Sequence, residues 1–92
     1  MLTAFVLIDC DPGQIPEVAQ QVANLKGVSE CYSVAGEYDL VAIVRVRDHE
    51  QLADVIADGV SKVGGVAHTK TLIAFRTYSN KELEQAFALG LE

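Results

Sequence analysis

A short segment, Gly36-Glu37-Tyr38-Asp39-Leu40, combines residue types that suit a small polar ligand. Glycine lets a ligand approach the backbone closely, so that a main-chain amide can face a carboxylate. The Asp39 carboxylate can accept hydrogen bonds from an ammonium group, and Tyr38 offers a ring and a hydroxyl. The same residues also fit a plain hairpin turn in which Asp39 only bonds its own loop, and residue chemistry alone favours that simpler interpretation.

A pair of threonines is the second candidate for ligand binding. Thr69 and Thr71 share one face of a predicted strand, while His68 and Lys70 occupy the other. Two hydroxyls at this spacing can bind a polar ligand across an interface. Threonine is also simply a good strand former, and the residues themselves favour that explanation.

Catalytic and metal-binding patterns are not found in the sequence. His49 and His68 lack the paired spacing of a metal site, and Asp9, Cys10 and Asp11 are better explained by a turn with a capping acid. No Ser-His-Asp arrangement, Cys-His arrangement or phosphate loop can be assigned. We therefore expect no catalytic residue, no cofactor and no metal site.

The two cysteines, Cys10 and Cys31, have no CxxC spacing. They fall on strands that the predicted sheet does not place side by side, so we expect two small, semi-buried thiols and no disulfide.

Length and charge limit the possible functions. The 92 residues are 50% hydrophobic and 22% charged, which predicts one globular domain over residues 1–92. Thirteen acidic and seven scattered basic residues give a net charge of −6, so we expect no tight nucleic-acid binding by this chain alone. No apolar run approaches the roughly 20 residues of a membrane helix, and no signal-peptide pattern follows Met1, which makes the cytoplasm the default location.

One strand–helix–strand pattern runs through the chain twice. Gly27-Val28 and Gly65-Val66, 38 residues apart, each open an extended run after a helical one. Two such halves in a short chain predict a ferredoxin-like α+β sandwich, with an antiparallel four-stranded sheet and two helices on one face.

The periodicities give the expected elements. We expect strands over residues 3–9, 28–35, 40–46 and 66–75, with Val28 on the same face as Glu30 and Tyr32. The first helix should start near Pro16, and the second should be capped by Asp48 with Gln51 at N3. The expected buried stripes are Ile15, Val18, Val22 and Leu25, then Leu52, Val55, Ile56, Val60 and Val63. A capping box at residues 79–82 predicts a C-terminal helix with Leu83, Ala86 and Phe87 on one side.

The two central strands are apolar on both faces. Two helices can cover only one face, and a sheet wetted on the other should alternate apolar and polar residues. The uncovered face would expose more apolar area than soluble monomers usually tolerate. The sequence therefore predicts a dimer with sheets packed face to face through Phe5, Leu7, Val41 and Ile43. The C-terminal helix would either embrace the partner or cover its own sheet edge.

Two segments carry a resemblance to a known family. Gly36-Glu37-Tyr38-Asp39-Leu40-Val41 and, after the second helix, the 65–75 run GVAHTKTLIAF resemble the effector domain of the Lrp/AsnC regulators, the regulation-of-amino-acid-metabolism (RAM) domain. The order and spacing of these motifs on a duplicated fold give the resemblance its specificity. Full-length members carry an N-terminal helix-turn-helix domain, whereas here Met1 leads directly into the first strand, as expected of a stand-alone version.

The resemblance implies a function and a site. Members of the family form face-to-face dimers and then rings of dimers, commonly four, with small effectors, typically amino acids, bound between dimers near the glycine–aspartate turn. By position, the implied effector-binding residues are Gly36, Tyr38, Asp39 and Leu40, together with Thr69 and Thr71. Co-assembly with full-length Lrp/AsnC relatives is one implied role.

The sequence is compatible with three functions. The first, favoured by the motif order, is a ligand-sensing and oligomer-forming module without its own DNA contact. The second is an enzyme of the dimeric α/β-barrel type, a small monooxygenase or isomerase, which would need a titratable group such as His68 or Tyr32 in a pocket between sheet and helices. The third is an assembly scaffold whose turn binds nothing, and fold alone does not separate the three.

Overall fold

The structure is a computed structural model that describes residues 1–80. Four strands and two helical segments follow one another along the chain: β1 (Leu2–Cys10), α1 (Ile15–Ala23), β2 (Val28–Ser33), β3 (Leu40–Val46), α2 (His49–Ala53) and β4 (Val66–Ile73). The predicted C-terminal helix, from Lys81 on, lies outside the described residues.

The strands form one antiparallel sheet in the order β2-β3-β1-β4. The central strand β1 pairs with β3 on one side and β4 on the other, so that Ile8 lies opposite both Leu40 and Thr69. This order, with two helical segments in the β-α-β-β-α-β sequence, is the ferredoxin-like arrangement that the internal repeat predicts.

The core lies between one face of the sheet and the helices. Alternate residues of β1 and β3 point into it, and Ala4, Val6, Ile8, Leu40, Ala42 and Val44 are all fully buried. Val18 and Val22 of α1 complete the same cluster from the helix side, together with Leu52, Val55, Val60 and Val63. The two predicted helical stripes are thus confirmed, with Ile15, Leu25 and Ile56 only partly buried at the margin.

The first helix begins where its prolines allow. A 3-10 turn at Pro12–Gln14, in which the Asp11 side chain accepts a hydrogen bond from the Gly13 amide at 3.1 Å, precedes α1. Pro16 lies in the first turn of α1, where its missing N–H leaves no helical hydrogen bond unmade. The predicted start near Pro16 is therefore confirmed.

The second helical segment, residues 49–62, is not a uniform α-helix. Its predicted N-cap is confirmed, because Asp48 Oδ1 accepts a hydrogen bond from the Gln51 amide at 2.8 Å. After α2 the segment continues as a π-helix over Asp54–Gly59 and a 3-10 turn over Val60–Lys62. The buried residues Val55 and Val60 are five apart, and the i→i+5 bonding of a π-helix is what keeps both of them on the core side.

Two β-bulges change which residues share a face. Between Val28 and Glu30 the register with β3 shifts, so Val28 lies opposite Val44 and faces the helices. The expectation that Val28 shares a face with Glu30 and Tyr32 is therefore wrong, because the bulge inserts one extra residue into β2. A second bulge, between Asp9 and Cys10 in the β1–β4 register, turns Val66 toward the core.

Two strands end earlier than predicted. Strand β4 stops at Ile73 rather than Phe75, because the last backbone bond to β1 is the one that the Ala74 amide donates to the Thr3 carbonyl. Strand β2 stops at Ser33 rather than Ala35, because the Val34 amide donates to the Asp39 carbonyl at 3.0 Å and closes the hairpin.

The other face of the sheet, which we call the outer face, is formed by Phe5, Leu7, Val41, Ile43 and Leu72. Phe5 is 38% exposed and Leu72 47%, whereas Ile43 at the centre is 9% exposed. The helical segments within residues 1–80 pack against the opposite face of the sheet. The outer face is therefore apolar and not covered by these helices, as the sequence predicts.

Within residues 1–80, no helix is both long and apolar enough to cross a membrane.

Candidate functional site

Asp39 stands where three strands meet. Its carboxylate Oδ2 accepts a hydrogen bond from the Cys10 amide at 3.0 Å, and its own amide donates to the Ile8 carbonyl at 3.0 Å. Its carbonyl accepts from the Val34 amide, so the residue links β3 to both β1 and β2. Asp39 therefore has a structural role at the end of the sheet, while its second oxygen, Oδ1, accepts no hydrogen bond from residues 1–80.

The loop before Asp39 presents free backbone donors. The amides of residues 35–38 donate to no acceptor within residues 1–80. Gly36 has a φ of +136°, which glycine adopts more readily than other residues, and no atom lies within 4 Å of the position where a Cβ would be. The turn thus combines open space at Gly36 with backbone amides and one Asp39 carboxylate oxygen that have no hydrogen-bond partner within residues 1–80.

The remaining residues of the turn differ in what they can contribute. Tyr38 is half-buried beside Asp39, so part of its side chain reaches solvent. The Leu40 side chain is fully buried in the core, which leaves only its backbone for any contact with a ligand. Leu40 anchors the turn to the sheet, because burial of a leucine side chain stabilises a fold by about 2 kcal/mol.

The threonine pair lies elsewhere on the same protomer. Thr69 and Thr71 are half-buried on β4, opposite Ile8 and Val6, and so belong to the helix-facing side of the sheet edge. Strand β1 separates them from β3, which places Thr69 about 10 Å from Leu40, or two strand spacings. One protomer therefore groups Gly36, Tyr38, Asp39 and Leu40 in one patch and the two threonines in another.

Two open clefts lie away from the turn. One, of about 300 Å3, lies between the C-terminal end of α1 and the 49–62 segment, with Leu25 and Val55 among its lining residues. Another is lined by Phe75, Arg76 and Tyr78, directly after β4.

The hydrogen bond between Cys10 and Asp39 has no signal in the sequence. The contact uses a backbone amide 29 residues away, and no side-chain pattern signals such a bond. Burial raises the pKa of the Cys10 thiol, and the nearby carboxylates of Asp39, Asp11 and Asp9 raise it further. The pKa of the Cys31 thiol is also raised, mainly by burial, and both cysteines are free, as predicted.

His68 and Tyr32, the candidates for an enzyme site, do not face the space between sheet and helices. Tyr32 lies opposite Val41 and His68 opposite Asp9, which places both on the side of the outer face. The Tyr32 hydroxyl donates to Glu30 Oε2 at 2.5 Å, and this bond raises the pKa of the tyrosine. Among residues 1–80, no polar or charged residue is buried in the core.

The fold and turn define the class: a ferredoxin-like α+β domain with a polar hairpin turn at one end of its sheet. Residues 3–83 match the model of the Lrp/AsnC ligand binding domain, so the chain belongs to the Lrp/AsnC family. The resemblance found in the sequence is thereby confirmed. An uncharacterized HTH-type transcriptional regulator of Pyrococcus horikoshii is 40% identical over 78 residues, which is 82% of this chain and 52% of the relative.

Two solved structures are also similar to this chain. A protein of Thermus thermophilus is 46% identical, with a TM-score of 0.83 over 87% of this chain and 100% of that one. The feast or famine regulatory protein of Mycobacterium tuberculosis, solved in complex with L-methionine, is 32% identical, with a TM-score of 0.73 over 87% of this chain and 54% of that one. Among the curated relatives it matches, the chain spans about half of their length.

Proposed function

We propose that this chain is an amino-acid-sensing and oligomerisation module of the Lrp/AsnC family. The observation that carries the proposal is that one turn holds both the amides of residues 35–38 and Asp39 Oδ1, none of which has a hydrogen-bond partner within residues 1–80. A free amino acid carries a carboxylate and an ammonium group. The amides suit the first group and the Asp39 carboxylate suits the second.

Tyr38 and the backbone of Leu40 are proposed to border the bound effector, with Gly36 giving it access to the main chain. Thr69 and Thr71 are proposed to contribute from a neighbouring subunit, since within one protomer β1 separates them from the turn. The L-methionine complex of the related mycobacterial protein supports an amino acid as the class of ligand.

The outer face is proposed to form the dimer interface, with Phe5, Leu7, Val41 and Ile43 at its centre. Burial of such apolar area stabilises an association by about 25 cal/mol per Å2, less the cost of immobilising the partners. We further propose that dimers join into a ring, in which a ligand at a subunit boundary shifts the assembly state. Co-assembly with full-length relatives in the cytoplasm would give the module a regulatory role without any nucleic-acid contact of its own.

The decisive experiment is a light-scattering measurement of the mass in solution, alone and with each of the twenty amino acids. The proposal predicts a mass of several dimers that changes with one or a few of them, and calorimetry with Asp39→Asn should then show weaker binding of the same amino acid. A fixed mass and no binding heat across the whole panel would contradict effector sensing.

A further inference from the structure

Two aromatic side chains just after β4 are almost completely exposed. Phe75 is 102% exposed and Tyr78 84%. Together with Arg76 they line one concave surface, and we call residues 75–78 the aromatic arm. Aromatic side chains contribute strongly when buried, and a group of exposed ones marks a surface that binds a partner.

A surface of matching chemistry lies on the helix layer, in the cleft of about 300 Å3 described above, which we call the helix cleft. Leu25 and Val55 supply its apolar part, and Asp54 and Asp58 place two carboxylates on its rim. Gly59 keeps the cleft open, because a Cβ there would come within 3.2 Å of Leu25 Cδ1.

The rim carboxylates remain available for a cationic partner. Asp58 Oδ1 lies 3.8 Å from Lys62 Nζ, but the two side chains are 69% and 71% exposed, and surface pairs of this kind contribute little. The other cation at the rim, Lys26, is a suitable neighbour for an aromatic ring.

We infer that the aromatic arm of one protomer docks into the helix cleft of a second copy of this chain. Phe75 would lie against Leu25 and Val55, and the Arg76 guanidinium would pair with Asp54 and Asp58, since its planar fork matches carboxylates. A second copy is the occupant because the complementary charges belong to one chain, with Arg76 on the arm and Asp54 and Asp58 at the cleft. The contact sets a basic residue against an acidic pair and so offsets part of the repulsion between two copies that each carry a net charge of −6.

The contact joins two different surfaces of identical chains. Such a heterologous contact makes a ring if its rotation closes and a filament if it does not. It is separate from the outer face, and it does not depend on any ligand at the 36–40 turn, so it would stand even if the proposed effector site bound nothing.

A charge swap tests the pairing on the full chain. Arg76→Glu and Asp58→Arg should each weaken association beyond the dimer by about tenfold or more, as measured by sedimentation velocity at low salt. The double variant, Arg76→Glu with Asp58→Arg, should recover the mass of the unmodified protein. Arg47→Glu, which makes the same charge change on an exposed residue outside the cleft, should leave the mass unchanged. Unaltered masses in the single variants, or no recovery in the double variant, would overturn the inference.

Cross-linking separates docking between copies from docking within one. In a Cys31→Ser background, a mixture of a Thr77→Cys variant and a Gln51→Cys variant, which changes an uncharged residue of the cleft, should form a mixed disulfide faster than either variant cross-links alone. Failure to form it would overturn the inference. So would rapid closure of both cysteines within one dilute chain that carries both changes, because the arm would then bind its own cleft.

Discussion

Asp39 holds two strands together through one carboxylate oxygen, while the other accepts no hydrogen bond from residues 1–80. Asparagine at this position keeps an oxygen for the Cys10 amide but removes the negative charge. We therefore expect Asp39→Asn to fold with nearly unchanged stability and to bind the effector at least about tenfold more weakly, since hydrogen bonds to charged groups contribute about 1.5–3 kcal/mol. Isothermal calorimetry and chemical unfolding measure the two effects.

Asp39→Ala is the matched control, because it also removes the hydrogen bond to Cys10. It should lose about 1 kcal/mol of unfolding free energy in addition to the binding, while still forming the dimer. If Asp39→Asn bound the effector as well as the unmodified protein does, the carboxylate would have only its structural role.

Cys10 provides a second prediction for a single residue. Its raised pKa means that the folded protein retains the thiol proton at pH values where the unfolded chain has lost it. The resulting stability is fully present below the ordinary thiol pKa and is lost as the pH rises through the raised folded pKa. Cys10→Ala should therefore show a shallower loss of stability in this alkaline range.

The reactivity of Cys10 follows from the same environment. Because the thiolate is the nucleophile, alkylation of Cys10 in the folded protein at neutral pH should be more than about tenfold slower than in the unfolded chain. Mass spectrometry after timed alkylation measures this ratio. Equal rates in the two states would show that burial and the surrounding carboxylates do not protect the thiol.

At the scale of secondary-structure elements, two glycines with positive φ serve different purposes. Gly27 lies in the turn between α1 and β2 with a φ of +94°, and a Cβ there would lie 2.7 Å from Val55 Cγ2. Gly36 has open space around it, so only backbone strain opposes a side chain. We expect Gly27→Ala to lower the free energy of unfolding by about 3 kcal/mol and Gly36→Ala by about 1 kcal/mol, as measured by urea unfolding. Equal decreases in the two variants would mean that Val55 moves away from the added methyl group at no cost.

At the scale of the whole molecule, the outer face is the proposed dimer interface. An aspartate at the centre of this face, Ile43→Asp, would bury a charge in the proposed dimer, so we expect a monomer or an aggregate in place of the native assembly. Ser61→Asp adds the same charge at an exposed position of the 49–62 segment and should keep the native mass. A native-size oligomer from Ile43→Asp, measured by light scattering, would remove the outer face as the interface.

The net charge of −6 also predicts how this chain behaves toward DNA. Seven scattered basic residues cannot neutralise a row of phosphates, so a gel shift at low salt should show no complex with duplex DNA. A tight complex that weakens as salt is added would overturn the charge argument.

What the sequence determined by itself was local or periodic. The internal repeat predicted the ferredoxin-like order, the 3.6-residue stripes predicted Val18, Val22 and Leu52 in the core, and Asp48 with Gln51 predicted a helix cap that the structure confirms. The stripes and the cap depend on neighbours a few residues apart, and the repeat is the same pattern met again 38 residues later, so all three can be read along the chain.

What only the tertiary structure decided depends on residues far apart. The bulge that turns Val28 toward the helices is set by its register with β3, and the π-helix after Ala53 places Val55 and Val60 together on the core side. The bond from the Cys10 amide to Asp39 joins the ends of two neighbouring strands. Each arises where separate elements meet, because the pairing of strands and the packing of helices fix geometry that no single stretch of sequence contains.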